Sequence, residues 1–304
     1  MRTRASVSLF APPIRTAICV ALLAAAPCRS AHAQAEIRPL SVTKLRVNGP
    51  ETVPERRLEV GLLWQMGWYD ERFDGSGSAQ DSDLSASRGE LGLRLVAGLL
   101  DTRMFGAEVG LLIPVVFEWS ESSITDEKSS AMGLSDVPVG LKLRFLSMRE
   151  ASLALALSVT TPTGDQAAGL GRGHTRMAQG LLFSSQPTSW LSVDASLSAG
   201  VALGVGDDQR GKVPTWGLAH EFGLALLLPP DLGLTPCVEL GWTMSSTPDA
   251  RTDESSKAHK LVLNLGLNYQ LNDRIILMQG AQVDLAGKHA DRGAMWFMSF
   301  LFLG

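Results

Sequence analysis

Ionisable side chains recur at alternate positions within otherwise apolar stretches of the sequence. Because successive residues of an extended chain point to opposite sides, side chains of one parity share a face. Charges of both signs on the inside of a curved wall either line an aqueous passage or pair with one another and fill it. The candidate wall residues are Glu59, Glu90, Arg94, Glu108, Glu118, Lys142, Arg144, Asp194, Glu221, Glu239, Lys260 and Asp284.

Three basic residues of this set, Arg94, Lys142 and Arg144, fall close together, with Glu108 on the predicted strand between them. They could attract anionic solutes, or they could form ion pairs across the wall. Pairing is the more frequent arrangement for charges that leave water together.

Two histidines are the candidates for catalysis. A lipid-facing histidine with a serine and an amide partner could cleave phospholipid, and His220 and His259 both have the parity of the apolar face. No serine lies beside His220 on the same face of its strand, and His259 begins a predicted strand. The sequence therefore predicts no catalytic residues, with a barrel phospholipid hydrolase as a minor alternative.

Metal ligands would need a different spacing from the one found. The five histidines are scattered, and no His, Cys or Asp pair has the spacing of a zinc site. We predict no metal or cofactor-binding residues. Acids in predicted loops could still bind divalent cations that bridge lipopolysaccharide, or they could simply be solvated. These acids are Asp70, Glu71, Asp74, Asp81, Asp83, Glu121, Asp126 and Glu127.

The elements that carry these side chains are long strands. Residues 190–204 read WLSVDASLSAGVALG, in which every second residue from Leu191 is apolar and the residues between are small or polar. About twelve segments share this period of two, and the segment at 175–186 is the least regular. They are 57–69, 88–100, 104–119, 137–145, 153–161, 175–186, 190–204, 216–228, 232–244, 259–271, 275–285 and 294–303.

Strand length separates a membrane barrel from a soluble one. Strands of soluble proteins are most often about 5 to 6 residues long, whereas a tilted strand that crosses a bilayer needs about 9 to 11. Here the polar faces carry mainly Gly, Ser and Ala with scattered charges, which suits a wet lumen better than a soluble exterior. We therefore predict an all-β, transmembrane, antiparallel up-and-down β-barrel of about twelve strands, rather than a soluble sandwich or lipocalin-like barrel.

The connections and the tryptophans suggest an orientation. Short turns such as DTR at Asp101 alternate with long polar loops such as PTGDQAAGLGRGH. In outer-membrane barrels the short turns face the periplasm and the long loops face outward. Most tryptophans lie toward the loop-rich ends of their strands, as in an interfacial aromatic belt. They are Trp64, Trp68, Trp119, Trp216, Trp242 and Trp296.

The N-terminal residues predict export. Three arginines precede the apolar run TAICVALLAAA, and Ala31-His32-Ala33 fits a signal peptidase site. The predicted organisation is a signal peptide at 1–33, a periplasmic segment or plug at 34–56, and the barrel at 57–304. Cleavage removes four of the 27 basic residues and none of the 31 acidic ones, so the exported chain has a formal charge of −8. This acidity argues against a nucleic-acid partner, and Cys237 would be the only remaining cysteine.

Two motifs carry a family resemblance: GLSDVPVGLKLRFL at 133–146 and SVTTPTGD at 158–165. They resemble a family of outer-membrane transporter-like barrels labelled the meta-pathway of phenol degradation. The resemblance implies a passive channel or uptake transporter for small solutes, including hydrophobic or aromatic ones, and supplies no site residues. One departure is the C-terminus, where Phe302 lies two places inside Gly304, although such barrels usually end on an aromatic residue that the insertion machinery reads.

The strand count leaves the state of the lumen undecided. Barrels of about eight strands are filled by side chains, whereas those of about sixteen hold a channel. A structural or adhesive barrel without a pore is therefore the alternative to a channel. The expected partners are outer-membrane lipid and lipopolysaccharide, a small-molecule solute and the barrel-insertion machinery, and the sequence leaves the oligomeric state open.

Overall fold

The computed structural model describes residues 49–122, 128–148, 150–205, 214–228, 232–248 and 255–304. The predicted signal peptide, most of the 34–56 segment, and Asp126 and Glu127 lie outside these ranges. The strands are β1 Leu58–Phe73, β2 Ala79–Asp101, β3 Gly106–Ser122, β4 Lys128–Leu134, β5 Val137–Ser147, β6 Ala151–Thr161, β7 Thr175–Thr188, β8 Leu191–Leu203, β9 Trp216–Leu226, β10 Leu234–Pro248, β11 Ser255–Asn272, β12 Ile275–Lys288 and β13 Ala290–Leu303.

The strands form one closed antiparallel sheet. Each barrel strand pairs with its neighbours along the chain, and β1 pairs with β13 from Glu59–Leu303 to Phe73–Ala290, which closes the cylinder. The short strand β4 and the following β5 both pair with β3, one above the other, so they share one place in the wall. Thirteen strands therefore fill twelve positions, which confirms the predicted fold class.

The alternation of side chains places apolar residues outside and polar residues inside. In β8, Leu197 is 45% exposed, whereas Asp194 is completely buried. The same contrast recurs around the cylinder, since Leu240 and Leu265 are exposed while Glu239 and Asn264 are buried. Among the outward aromatic residues, the rings of Trp64 and Trp296 pack edge to face, with their centroids 4.5 Å apart. A closed sheet leaves no edge strand at its seam, which satisfies the backbone groups of β1 and β13.

Several strand ends differ from the sequence prediction. The stretch at 70–87 was expected to be a loop, but β1 continues to Phe73 and β2 starts at Ala79, joined by a turn in which Asp74 accepts hydrogen bonds from Ser76 and Ser78. Likewise, β4 lies inside the predicted loop at 120–135. These segments are rich in polar residues, and in β4 only Met132 and Leu134 give the outward face an apolar part, so backbone pairing with a neighbouring strand extends the ladder where little alternation marks it.

The fourth wall position is interrupted. Ser135 and Asp136 separate β4 from β5, and β6 pairs with β5 only up to Thr161–Val137. Within the described residues, β4 has ladder pairing with β3 alone. Its second edge therefore faces the connection between β6 and β7, at residues 162–174.

Candidate functional site: the barrel interior

The interior of the barrel holds most of the predicted charges, and many of them form ion pairs. Arg94 pairs with Glu59 across β2 and β1. Lys142 Nζ lies 3.2 Å from Glu108 Oε1, and both side chains are fully buried. On the far side, Lys260 Nζ lies 3.0 Å from Asp284 Oδ2. These contacts favour mutual pairing of the basic group over an anion-binding site.

The other predicted residues lie at different heights on the wall. Glu118 pairs with Arg88 at 3.1 Å, and Arg144 pairs with Asp101 at 2.7 Å near the end of the barrel that carries the short turns. Glu221 accepts a hydrogen bond from Ser196 Oγ at 3.0 Å. The remaining members of the set, Glu90, Asp194 and Glu239, are buried. The twelve residues therefore line one inner surface but do not converge on a single point.

The first described residues enter the barrel at its short-turn end. The backbone N–H of Val53 donates to Glu108 Oε2 at 2.8 Å, and Lys142 Nζ donates to the carbonyl oxygen of Glu51 at 2.8 Å. Val53 itself is buried. The described part of the 34–56 segment thus binds the Glu108–Lys142 pair, and residues 34–48 lie outside the described ranges.

Four buried amides of the described residues were not among the sequence candidates, which were restricted to ionisable groups: Gln65 on β1, and Asn264, Asn268 and Gln282 on β11 and β12. Asn264 Nδ2 donates to Glu239 Oε2 at 3.4 Å, and Gln282 Nε2 donates to Asp284 Oδ1 at 3.2 Å. Asn268 Nδ2 contacts Cys237 Sγ at 3.5 Å. The carbonyl oxygens of all four amides are buried and accept no hydrogen bond within the described protein. Strand parity would have found them, because they share the inward face with Glu239 and Asp284.

An apolar strip faces the interior beside the amides. Leu63, Leu112, Met278, Phe297 and Leu301 are almost fully buried, although they lie on the inward face of their strands. Leu63 already breaks the alternation of the first strand in the sequence. The inner surface is therefore mixed along β12 and β13, where Met278, Phe297 and Leu301 lie beside Gln282 and Ser299, and it is mainly polar along β8–β11.

The connection at 162–174 folds inward against the break in the wall. Asp136 is buried, and its two carboxylate oxygens accept the backbone N–H groups of Gly164 at 3.0 Å and Arg172 at 2.8 Å. Leu170 is also buried and packs on Gly133, where an added Cβ would lie 2.8 Å from the leucine Cδ1. Gly133 pairs with Val116 and so shares its inward face. The two sequence motifs that carry the family resemblance thus contact each other through Asp136.

Two groups outside the spanning strands have shifted pKa values. Burial lowers the pKa of His174, which lies at the end of the 162–174 connection with its Nδ1 2.8 Å from the carbonyl oxygen of Arg172. Hydrogen bonds, first from the Ser76 hydroxyl, lower the pKa of Asp74 in the turn between β1 and β2. His174 therefore stays neutral over a wider pH range than an exposed histidine.

The histidine candidates for catalysis face outward. His220 is exposed, and its ring lies 5.6 Å from that of Trp242 on the neighbouring strand. His259 lies inside β11 rather than at its start. In the described part of the chain, no group of three or more His, Cys, Asp and Glu side chains is placed to hold a metal ion. Nor do the described ranges contain a helix long and apolar enough to span a membrane.

A cavity of about 570 Å³ lies at the long-loop end of β1–β4. Trp68 and Trp119 flank Ser87 in one row of the sheet, and most of the lining side chains have the outward parity. This cavity therefore belongs mainly to the outer surface rather than to the lumen.

Comparison with known proteins gives structural matches only. No family model matches the sequence, and the search of curated proteins found no match. The crystal structure of an outer membrane channel from Pseudomonas putida F1 is similar over 84% of this chain and 98% of that one, with a TM-score of 0.72 and 17% identity. The transport unit of the autotransporter AIDA-I from Escherichia coli is similar over 82% of this chain and 90% of that one, with a TM-score of 0.51 and 8% identity. At these identities the likeness concerns the fold.

Proposed function

We propose that this protein is a channel of the bacterial outer membrane through which small solutes pass passively. The observation that carries the proposal is the inside-out arrangement of a closed barrel, with Leu197 exposed and Asp194 buried on one strand. Exposed apolar side chains around a cylinder are stable in lipid and unfavourable in water. The similar fold of the Pseudomonas putida outer membrane channel supports the same function.

In this proposal the surroundings of the barrel are those expected from the sequence. Lipid and lipopolysaccharide contact the outward Leu, Val and Trp side chains, the short turns face the periplasm, and the long loops face outward. The insertion machinery reads the C-terminal strand, on which Phe300 and Phe302 are exposed to the lipid side.

The solutes proposed are small and include hydrophobic or aromatic compounds. The apolar strip of Met278, Phe297 and Leu301 is buried inside the barrel beside the amides of Asn268 and Gln282, so a solute that displaces this filling meets apolar side chains and a few polar atoms. A site with apolar surface and a few placed polar atoms is typical of small-molecule binding.

A structural or adhesive barrel without a pore is the second candidate, and one observation favours it. Interior side chains such as Lys142, Glu108 and Phe297 are almost fully removed from solvent, and residues 51–53 add to the filling at the short-turn end. Twelve strands lie between the filled and the open barrel sizes. A closed lumen would need movement of this filling before a solute could cross.

Conductance and uptake distinguish the two candidates. Purified mature protein, shown to be folded by a mobility shift on an unheated detergent gel, is added to planar bilayers and to liposomes. A channel gives discrete conductance steps and liposome swelling with small aromatic solutes. A folded, inserted barrel that neither conducts nor takes up solute contradicts the channel and favours the structural role.

A further inference from the structure

The inward charges are unevenly distributed around the barrel. Along β8–β12 the inner wall carries the carboxylates of Asp194, Glu221, Glu239 and Asp284 against the single ammonium group of Lys260, a formal charge of −3. Along β1–β5 the pairs formed by Arg94 with Glu59, Lys142 with Glu108, and Arg88 with Glu118 neutralise one another, and Glu90 adds one further buried carboxylate. The polar wall is therefore the electronegative side of the lumen.

The hydrogen bonds of the amides on this wall determine which end of each amide faces the carboxylates. Asn264 and Gln282 face each other across β11 and β12, and each contacts a carboxylate, Glu239 or Asp284. Only the NH₂ end of an amide can donate to a carboxylate, so the carbonyl oxygens must point away from the wall contacts. Asn268 uses its NH₂ in the same way on Cys237.

The free carbonyl oxygens need partners. A buried polar atom without a hydrogen bond costs about 1–3 kcal/mol. In the described part of β10–β13 five oxygens lack a partner: three amide carbonyls, which only accept, and two hydroxyls, which can donate or accept. Water or a solute inside the lumen removes this cost. These atoms are Thr243 Oγ1, Asn264 Oδ1, Asn268 Oδ1, Gln282 Oε1 and Ser299 Oγ.

We propose that solutes cross the barrel along this wall, and that the row of acceptor oxygens and carboxylates favours cations and hydrogen-bond donors and excludes anions. The proposal rests on the channel function above and specifies its route and charge preference. The row is called the acceptor track and comprises Thr243, Asn264, Asn268, Gln282 and Ser299 with the neighbouring Glu239 and Asp284. The wall along β1–β5 is occupied by the ion pairs of Arg94 and Lys142 and by residues 51–53.

The chain contains a natural reporter for this route. Cys237 is the only cysteine of residues 34–304, so its side chain is a thiol, and this buried side chain touches Asn268 on the acceptor track. A thiol reagent dissolved in water reaches Cys237 in the folded barrel only if the track is wet. Reagents of equal size and opposite charge then report which charge enters.

The experiment uses the mature protein folded in detergent and two methanethiosulfonates, one with a trimethylammonium group and one with a sulfonate. The cysteine thiolate attacks the reagent sulfur and releases sulfinate, and intact mass records the adduct over time. Each rate is divided by the rate with the unfolded chain, which cancels intrinsic reactivity. Clefts of one charge raise the local concentration of the opposite ion by about 10-fold or more, so we expect at least a tenfold preference for the cationic reagent.

Three variants provide controls. Cys237→Ser should form no adduct. Glu239→Gln removes one carboxylate from the track and should reduce the charge preference severalfold. Glu150→Gln makes the same charge change at an exposed turn residue and should leave the preference unchanged.

The outcomes separate this proposal from the channel function. Equal corrected rates for the two reagents, or an adduct only after unfolding, would overturn the acceptor track. If the protein conducts in bilayers while Cys237 stays unreactive, the acceptor track is wrong and the channel function stands. If Cys237 reacts faster with the cationic reagent but the protein never conducts, the acceptor track is wet and the protein is not a channel.

Discussion

Asp136 accepts two of the hydrogen bonds that hold residues 162–174 inward, beside those that Thr163 makes with Ser135 and Val137, and it is the most direct residue to perturb. Asp136 is buried, and its two oxygens accept the backbone N–H groups of Gly164 and Arg172. Asp136→Ala removes both acceptors and leaves two donors without their partner. Asp136→Asn keeps one acceptor oxygen and removes the charge, so it should have about half the effect.

The magnitude follows from the two contacts. A hydrogen bond to a charged group contributes about 1.5–3 kcal/mol, so the two together hold the connection by about 3–6 kcal/mol. Since about 1.4 kcal/mol changes an equilibrium constant tenfold, Asp136→Ala should speed amide exchange in residues 162–174 by about 100-fold or more. Asp136→Asn should speed it by about tenfold or somewhat more. Hydrogen exchange with mass spectrometry of the folded barrel measures both.

A matched control is Asp70→Asn, which makes the same change at an exposed residue of β1 and should leave the exchange of 162–174 unaltered. The barrel strands should keep their protection in all three variants. Unchanged exchange of Gly164 and Arg172 in Asp136→Ala would refute the view that this carboxylate anchors the connection.

Three further predictions concern the interior and the connection. Lys142→Met leaves the Glu108 carboxylate buried without its ion pair and should lower the free energy of unfolding by about 3–5 kcal/mol in urea titrations, whereas adding Glu108→Gln should restore part of it. Gly98→Ala places a Cβ 2.0 Å from the carbonyl oxygen of Pro54, so proteolysis should cut residues 49–56 faster while the barrel resists. His174 has a lowered pKa, so the folded state binds fewer protons than the unfolded state below the ordinary value of 6.5. The protection of amides 162–174, measured as the exchange rate relative to the intrinsic rate at each pH, should therefore fall as pH falls through this region, and His174→Gln should abolish this fall.

The strands of the barrel wall could be predicted from the sequence because the alternation of apolar and polar residues is a local property. Each spanning strand has one face in lipid, so the period of two is visible residue by residue, even in β7, where it is least regular. The twelve wall positions follow from that period. The polar ends of β1 and β2 and the first residues of β4 carry little apolar alternation, so pairing with a neighbour rather than hydrophobicity sets their limits.

The contents of the lumen were only partly predictable. Parity placed Glu108, Lys142 and Asp194 on one face, but which charges pair depends on the register between strands, which a single sequence does not specify. The contact of Asp136 with Gly164 joins residues 28 apart, and that of Val53 with Glu108 joins residues 55 apart. Such contacts arise only once the barrel has closed.

The proposed structure in the membrane requires that the apolar face of each strand contacts lipid and that the charged face points into the lumen. Nitroxide labels placed singly at residues 191–203 of a Cys237→Ser chain in bilayers test it, by their collision rates with oxygen, which concentrates in lipid. The collision rate with oxygen should be highest at every second position, including Leu197 and Val201, and lowest at Asp194 and Ser198. Maxima at Asp194 and Ser198, or a profile without this period, would contradict it.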